Sequence, residues 1–245
     1  MINKNKILEL TKANIKKKLE TTDQKIINMS LIIQKLPSNI NELYEELRII
    51  TDQEYPSLDK YLTIKEYCEF YSSGTIKESK DIKKILDSDI GIKLSKSLKK
   101  ITTDLSKNIL DLIKTKENLE EEIDHLTKKN YINLYTLATP KIAYKMLEIA
   151  GSFERLARFP ASTVQLLGSE KSFFKALKQN KKTPKYGVIY NHPLLVNLSN
   201  KNKAKMARSL AAKISLGVKV DLEGKDISKF LEDKIKLKIS ELKWI

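Results

Sequence analysis

Between Leu98 and Leu126 the apolar residues of this chain recur at spacings of three and four: Leu98, Ile101, Leu105, Ile109, Leu112, Leu119, Ile123 and Leu126. Only an α-helix gathers residues at that spacing onto one side. The step from Leu105 to Ile109 adds a stutter, and Lys116 fills one core-type position. A helix of about thirty residues is about 45 Å long, more than a small core spans. It needs a second long helix to cover its stripe. The N-terminal run offers one, with Ile7, Leu8, Ile15, Leu19, Ile26, Ile27, Met29 and Ile33 at helical spacings. The two are expected to pack antiparallel as a protruding helical hairpin or coiled coil. An ordinary long core helix is the alternative.

The other segments read as helices too. Pro37 should end or kink the first run, because its ring clashes with the preceding turn, and Ser38 then caps a second segment bearing Leu43, Leu47 and Ile50. Tyr55-Pro56-Ser57 is a break. Short helices follow over Ile64–Tyr71 and Ile76–Leu86, with Ser72-Ser73-Gly74 and Gly91 as joints. A helix is expected over Tyr135–Ile149, with Pro140 near its start, and an amphipathic core helix over Met206–Val220. A charged terminal helix over 226–243 carries Ile227, Phe230, Leu231, Ile235 and Ile239 on one side. Only Val188-Ile189-Tyr190 offers a short extended piece. With Gly and Pro scarce, at 7 and 6 residues, the composition favours helices over a turn-rich β fold. The expected fold class is all-α, a helical coiled coil over residues 1–131 followed by a compact helical domain over 132–245.

Charge is placed unevenly along this scaffold. Of a formal net +15, residues 151–245 carry +12, from 20 basic and 8 acidic residues. From Lys171 to Val220 there is no Asp or Glu, while twelve Lys or Arg occur with Phe173, Phe174, Tyr186 and Tyr190 among them. Like charges gathered on a compact surface repel, so such a segment points to a polyanionic partner. Lys171, Lys175 and Lys178 share a helical face with Phe174 between them, and Phe173 points elsewhere. Lys181, Lys182 and Lys185 lie on a loop stiffened by Pro184 and ended by Gly187. Lys203 and Lys205 lead into the helix bearing Arg208. Cations in such clusters contact phosphates, and Tyr186 has a ring for a base or sugar. A merely solvated face is the other reading.

The sequence argues against other classes. Cys68 is the single cysteine, which leaves no internal disulfide or cysteine-based zinc site and fits a reduced, intracellular protein. No segment approaches a membrane span, and no signal peptide is evident at the N-terminus. There is no glycine-rich phosphate loop, nucleophile elbow or HExxH motif, so no catalytic set, metal or cofactor is expected. His125 reads as a solvated helix residue. His192 stands before a proline in the basic region, and two readings stay open for it: contact with RNA, or capping of local backbone.

The order of three motifs is distinctive: Leu156 to Thr163 (LARFPAST), Leu167 to Lys171 (LGSEK) and Arg208 to Lys213 (RSLAAK), with TPKYGVIY between the last two. In that order the chain resembles the Nop-domain family, whose members occur in archaeal box C/D ribonucleoproteins, in their eukaryotic nucleolar counterparts and in the spliceosomal tri-snRNP. NELYEELRIITDQEYPSLDKYL resembles the family's first coiled-coil helix and its exit, and residues 98–130 its returning helix, so the likeness covers most of the chain. Ser169 and Ser172 stand where family members usually carry alanine.

The resemblance implies a scaffold without enzymatic activity. It would bind a box C/D guide RNA at a kink-turn already held by a small kink-turn-binding homologue of ribosomal proteins, and support guided rRNA 2′-O-methylation and pre-rRNA processing. Fibrillarin would act within the particle. Only about forty residues precede NELYEELR, too few for the family's fibrillarin-binding domain, which argues against direct contact. The coiled coil would pair with itself or a paralogue. By resemblance, Gly168, Glu170 and Lys171 would face the kink-turn protein and RNA, and Lys175, Lys178, Lys182, Lys185 and Arg208 would line the RNA stem. Together with the residues read from the basic region, the candidates are Gly168, Ser169, Glu170, Lys171 and Phe174 for the protein, and Lys171, Lys175, Lys178, Lys181, Lys182, Lys185, Tyr186, His192, Lys203, Lys205 and Arg208 for the RNA. The location would be cytoplasmic in an archaeon and nucleolar in a eukaryote. GSFERLARFPAST looks archaeal and TPKYGVIY eukaryotic. A spliceosomal role is a second possibility, against which the Phe-Phe pair after LGSEK argues; a coiled-coil adaptor with its basic face on an acidic protein is a third.

Overall fold

The structure, a computed structural model of the chain, describes residues 8–9, 11–12, 15–16, 19–74, 91–196 and 198–243. Ile7 of the first run and the helix expected over Ile76–Leu86 lie outside the described residues. Every regular element among the described residues is helical. The chain packs as two compact units, one of Met1–Leu31 with Glu122–Ile245 and one of Ile32–Glu121.

The unit of Ile32–Glu121 is built on two long helices. Helix α1 (Thr22–Thr51) and helix α3 (Lys96–Asn130) each give this unit a segment, and the short α2 (Ile64–Ser73) lies between them in sequence. Leu36, Ile40, Tyr44 and Leu47 of α1 form a stripe at helical spacing that shares one core with Leu58, Tyr67, Cys68 and Ile109. The C-terminal end of α1 meets the start of α3, where Lys99 Nζ is 3.2 Å from Glu54 Oε1, so the two run antiparallel. Pro37 lies inside α1 and neither ends it nor frees Ser38 to cap a new helix. Pro37 is exposed, so its ring displaces no core neighbour, and buried Leu36 and Ile40 hold the helix on either side. In α3 the expected stripe is buried at Ile109 and Ile123 and half-buried at Leu105, Leu112, Leu119 and Leu126, but departs near its start. Ile101 is 52% exposed, whereas Thr102 and Ser106 are buried.

Polar closure complements this core. Tyr67 is fully buried, with its hydroxyl 2.7 Å from Thr51 Oγ1 and its ring edge-on to Tyr44. Thr63 and Glu66 form a capping box at the start of α2, and Gly74 ends it in the left-handed region. Arg48 sits among Glu45, Asp52 and Asp59, with Asp59 Oδ2 at 2.8 Å. Burial pushes the Cys68 thiol up to about 12, well away from a reactive thiolate.

The other unit is organised around helix α10 (Asn200–Asp221). Before it come α4 (Ile132–Ala138), α5 (Pro140–Ala150), α6 (Phe153–Arg158), α7 (Ala161–Leu166), α8 (Glu170–Lys178) and α9 (Pro193–Val196); α11 (Ser228–Lys243) follows. One face of α10 packs on α4, α6, α7 and α11. Its buried residues, among them Met206, Leu210, Ile214 and Val218, follow the three-and-four spacing. Each large apolar side chain buried this way contributes roughly 1.5–3 kcal/mol. Gly217 lets α4 approach, since a Cβ there would stand 2.8 Å from Leu137 Cδ1.

The helix expected over Tyr135–Ile149 is two helices, broken at Thr139, whose φ of 67° and ψ of 153° are rare for a β-branched residue. Pro140 disfavours helix at the residue before it, and then serves as the first residue of α5. Early residues bind into this unit: Asp23 Oδ2 accepts from the Phe153 backbone N–H at 3.0 Å, and Ser30 donates to Glu148 at 2.7 Å. Asp221 receives both the backbone and side-chain nitrogens of Asn133 and the backbone N–H of Leu134. In α11, Leu231, Ile235 and Leu242 are buried, while Phe230, expected on the same side, is 59% exposed.

Candidate nucleic-acid interface

The basic stretch begins at a tight bend. Gly168 has φ of 86°, and a Cβ on it would stand 2.8 Å from Val188 Cγ1. Its backbone N–H donates to Glu170 Oε1 at 2.8 Å, so the last acid before the basic run closes the start of α8. Ser169 is buried and donates to the Leu166 carbonyl at 2.6 Å. Lys171, Lys175 and Lys178 are all exposed. Phe174 lies among them at 62% exposure, and Leu177, which sequence reasoning passed over, at 52%. Phe173, read from sequence as pointing elsewhere, is half-buried and edge-on to Phe174.

A left-handed cap then reverses the chain. Asn180 has φ of 49°, Lys181 N–H donates to the Ala176 carbonyl at 2.9 Å and Asn180 N–H to that of Leu177 at 3.3 Å, a Schellman arrangement with asparagine in glycine's usual place. Lys181, Lys182 and Lys185 follow, exposed. Three bonds fasten the far end of this loop to α7 and the residue after it. Gln165 Nε2 donates to the Lys185 carbonyl at 2.8 Å, Gly187 N–H to the Gln165 carbonyl at 2.8 Å, and Val188 N–H to the Leu167 carbonyl at 2.8 Å. The approach is so close that a Cβ on Gly187 would stand 1.9 Å from the Leu167 oxygen. Val188–Asn191 is a 3₁₀ turn, not the extended piece expected there. On it Tyr190 is half-exposed, its ring 5.6 Å from that of Tyr186, and Lys203 Nζ lies 5.5 Å from the Tyr190 centroid. Lys205 and Arg208 are exposed along α10, in line with Lys201.

His192 is a correction. It is 4% exposed, Nδ1 accepts from the Leu194 N–H at 3.2 Å, and Nε2 is left to donate to the Leu137 carbonyl at 3.1 Å. Burial lowers its pKa and keeps the ring neutral. Of the two readings left open, backbone capping is the one the structure adopts, because both nitrogens are committed inside the fold.

Cations elsewhere in the chain find acids: Arg48, Lys65, Lys99, Lys116, Lys145, Lys236 and Lys238 all do. None of the twelve from Lys171 to Lys219 forms a salt bridge among the described residues. The surface is therefore an uncompensated positive field, with Tyr190 and Phe174 as exposed rings and Tyr186 as a half-buried one within it.

Two grooves flank Phe173. One is mostly apolar, bounded by Thr163, Leu166, Ser169 and Phe174, and its sole charged lining residue is Glu170. The other is bounded by Gln165, Pro184 and Ala204, and its charged residues are Lys185 and Arg208. Of the sequence-predicted residues, Ser169, Glu170 and Phe174 line the first groove and Lys185 and Arg208 the second.

Comparison with known proteins adds a family signal. The model of the Nop family, described as "snoRNA binding domain, fibrillarin", matches residues 32–241. An uncharacterized NOP5 family protein of Methanocaldococcus jannaschii is 33% identical over 96% of this chain and 61% of its own length. Nucleolar protein 56 of Dictyostelium discoideum is 29% identical over 86% of this chain and 43% of its own. Nucleolar protein 58 of Aspergillus clavatus is 49% identical, over 36% of this chain and 15% of its own. The chain therefore spans less than two thirds of these relatives. Among solved structures, a chain of a fibrillarin/Nop5p complex superposes with a TM-score of 0.61 at 26% identity, covering 96% of this chain and 75% of that one.

Proposed function

The chain belongs to the Nop family, and from that premise we propose that it is an RNA-binding assembly protein of a box C/D-type ribonucleoprotein. It binds a kink-turn RNA only after a small kink-turn protein is in place, and so supports guided 2′-O-methylation that fibrillarin carries out within the particle. The observation that carries this reading is the uncompensated positive surface of α8, the 179–187 loop and α10, adjoining a groove whose charge is Glu170. Lysines without acid partners supply affinity for phosphates, and that affinity is indifferent to sequence. Specificity then comes from Phe174, Ser169 and Glu170 meeting the kink-turn protein at the same time. In this proposal the antiparallel pair of α1 and α3 protrudes and joins a second Nop-domain chain.

A gel-shift titration tests it. Kink-turn RNA pre-loaded with its kink-turn protein is bound, the naked RNA is not, and binding weakens as salt rises. Lys171→Glu with Lys178→Glu abolishes the ternary complex and leaves the helical circular dichroism unchanged. Equal binding to plain duplex, with or without the kink-turn protein, would overturn the proposal.

A further inference from the structure

The groove on the basic side of Phe173 has a volume of about 410 Å³, within the range of sites that enclose a small ligand. We propose that it receives the base of a single unpaired nucleotide of the bound RNA, with Lys185 and Arg208 on the adjacent phosphates. The inference rests on the RNA-binding reading above and goes beyond it, since stem binding alone needs cations on a surface and no cavity.

Three features of the groove fit a nucleotide. Leu166, Phe173 and Pro184 form apolar walls, the kind of surface against which an unstacked base is buried. The cations stand at the same cavity and no carboxylate lines it, so the phosphate that accompanies the base meets no repulsion. Gln165 has its amide nitrogen engaged with the Lys185 carbonyl at 2.8 Å, which leaves Oε1 as an oriented acceptor for a base amine. That bond also fixes the loop carrying Lys185, so the cavity is formed before any ligand arrives. An apolar protein side chain would leave Lys185, Arg208 and Gln165 Oε1 without a partner.

The test is a gel-shift titration of the full chain onto kink-turn RNA pre-loaded with its kink-turn protein, in three versions. The stem is fully paired, carries one unpaired adenosine beside it, or carries an abasic nucleotide at that place. The unpaired adenosine is expected to tighten binding about tenfold, the scale of one base stacked on protein, and the abasic RNA to lose that gain. Ala204→Tyr fills the groove without altering charge and removes the preference; Arg208→Gln, at an exposed position, reduces it. Lys175→Glu weakens all three RNAs by the same factor. Equal binding of paired and unpaired RNAs by the wild type overturns the inference and leaves the proposed function standing. So does a preference that survives Ala204→Tyr, or an Ala204→Tyr loss equal for all three, which would place the stem or the protein partner in the groove. Failure to bind any pre-loaded RNA overturns both.

Discussion

Asp221 Oδ1 accepts hydrogen bonds from both the backbone and the side-chain nitrogen of Asn133, at 3.0 and 2.7 Å. Asn133 is fully buried and passes the connection on, donating to the Lys225 carbonyl at 2.7 Å and accepting from the Ile227 N–H at 2.8 Å. One pair thus caps the start of α4, the end of α10 and the turn into α11. Asp221→Ala strands three buried donors and is expected to cost about 3–5 kcal/mol, measured by urea denaturation. Asp221→Asn keeps part of the acceptor set and costs less.

Thr139 occupies a backbone region that only glycine enters freely. Thr139→Gly is therefore expected to stabilise the chain by about 1 kcal/mol, the relief of strain exceeding the added freedom of the unfolded glycine. A lower urea midpoint in the variant would contradict this.

The buried His192 couples stability to pH. Its folded pKa lies below the unfolded value of 6.5, so below pH 6.5 the unfolded chain binds more protons than the folded one. Its contribution is fully present above pH 6.5 and is lost as pH falls through the folded pKa, with a slope of at most about 1.4 kcal/mol per pH unit. Thermal melts across pH 7 to 5 should show the fall. His192→Gln, which keeps an amide donor and cannot titrate, should remove that component.

Gly187 holds the basic loop against α7. Gly187→Ala drives a Cβ into the Leu167 carbonyl and breaks the bonds to Gln165 and Leu167. The expected result is a loss of RNA affinity larger than that of Lys185→Ala, with total helical content by circular dichroism unchanged.

Much of the helical frame was legible because apolar spacing reports it directly, as at Leu36–Leu47 and Met206–Val218. Three kinds of feature were not. Buried Thr102, Ser106 and Thr127 carry no apolar signal, so the apolar spacing of α3 takes in Ile101, which faces outward. Pro37 carries the usual signal of a helix end, which an exposed position and flanking core residues override. Asn133 and Asp221, and His192 with Leu137, are joined across long separations, and such bonds leave no local trace in sequence. At the candidate site, the cations and motifs were visible, but the two grooves were not. They depend on Phe173 standing between α7, the 179–187 loop and α10.

Among the described residues, the cations from Lys171 to Lys219 form none of the ion pairs. Foldedness and the proposed grip on RNA are therefore separately heritable in this chain. Lineages living at different ionic strengths could add or drop surface lysines one at a time, with no compensating change in the helices beneath.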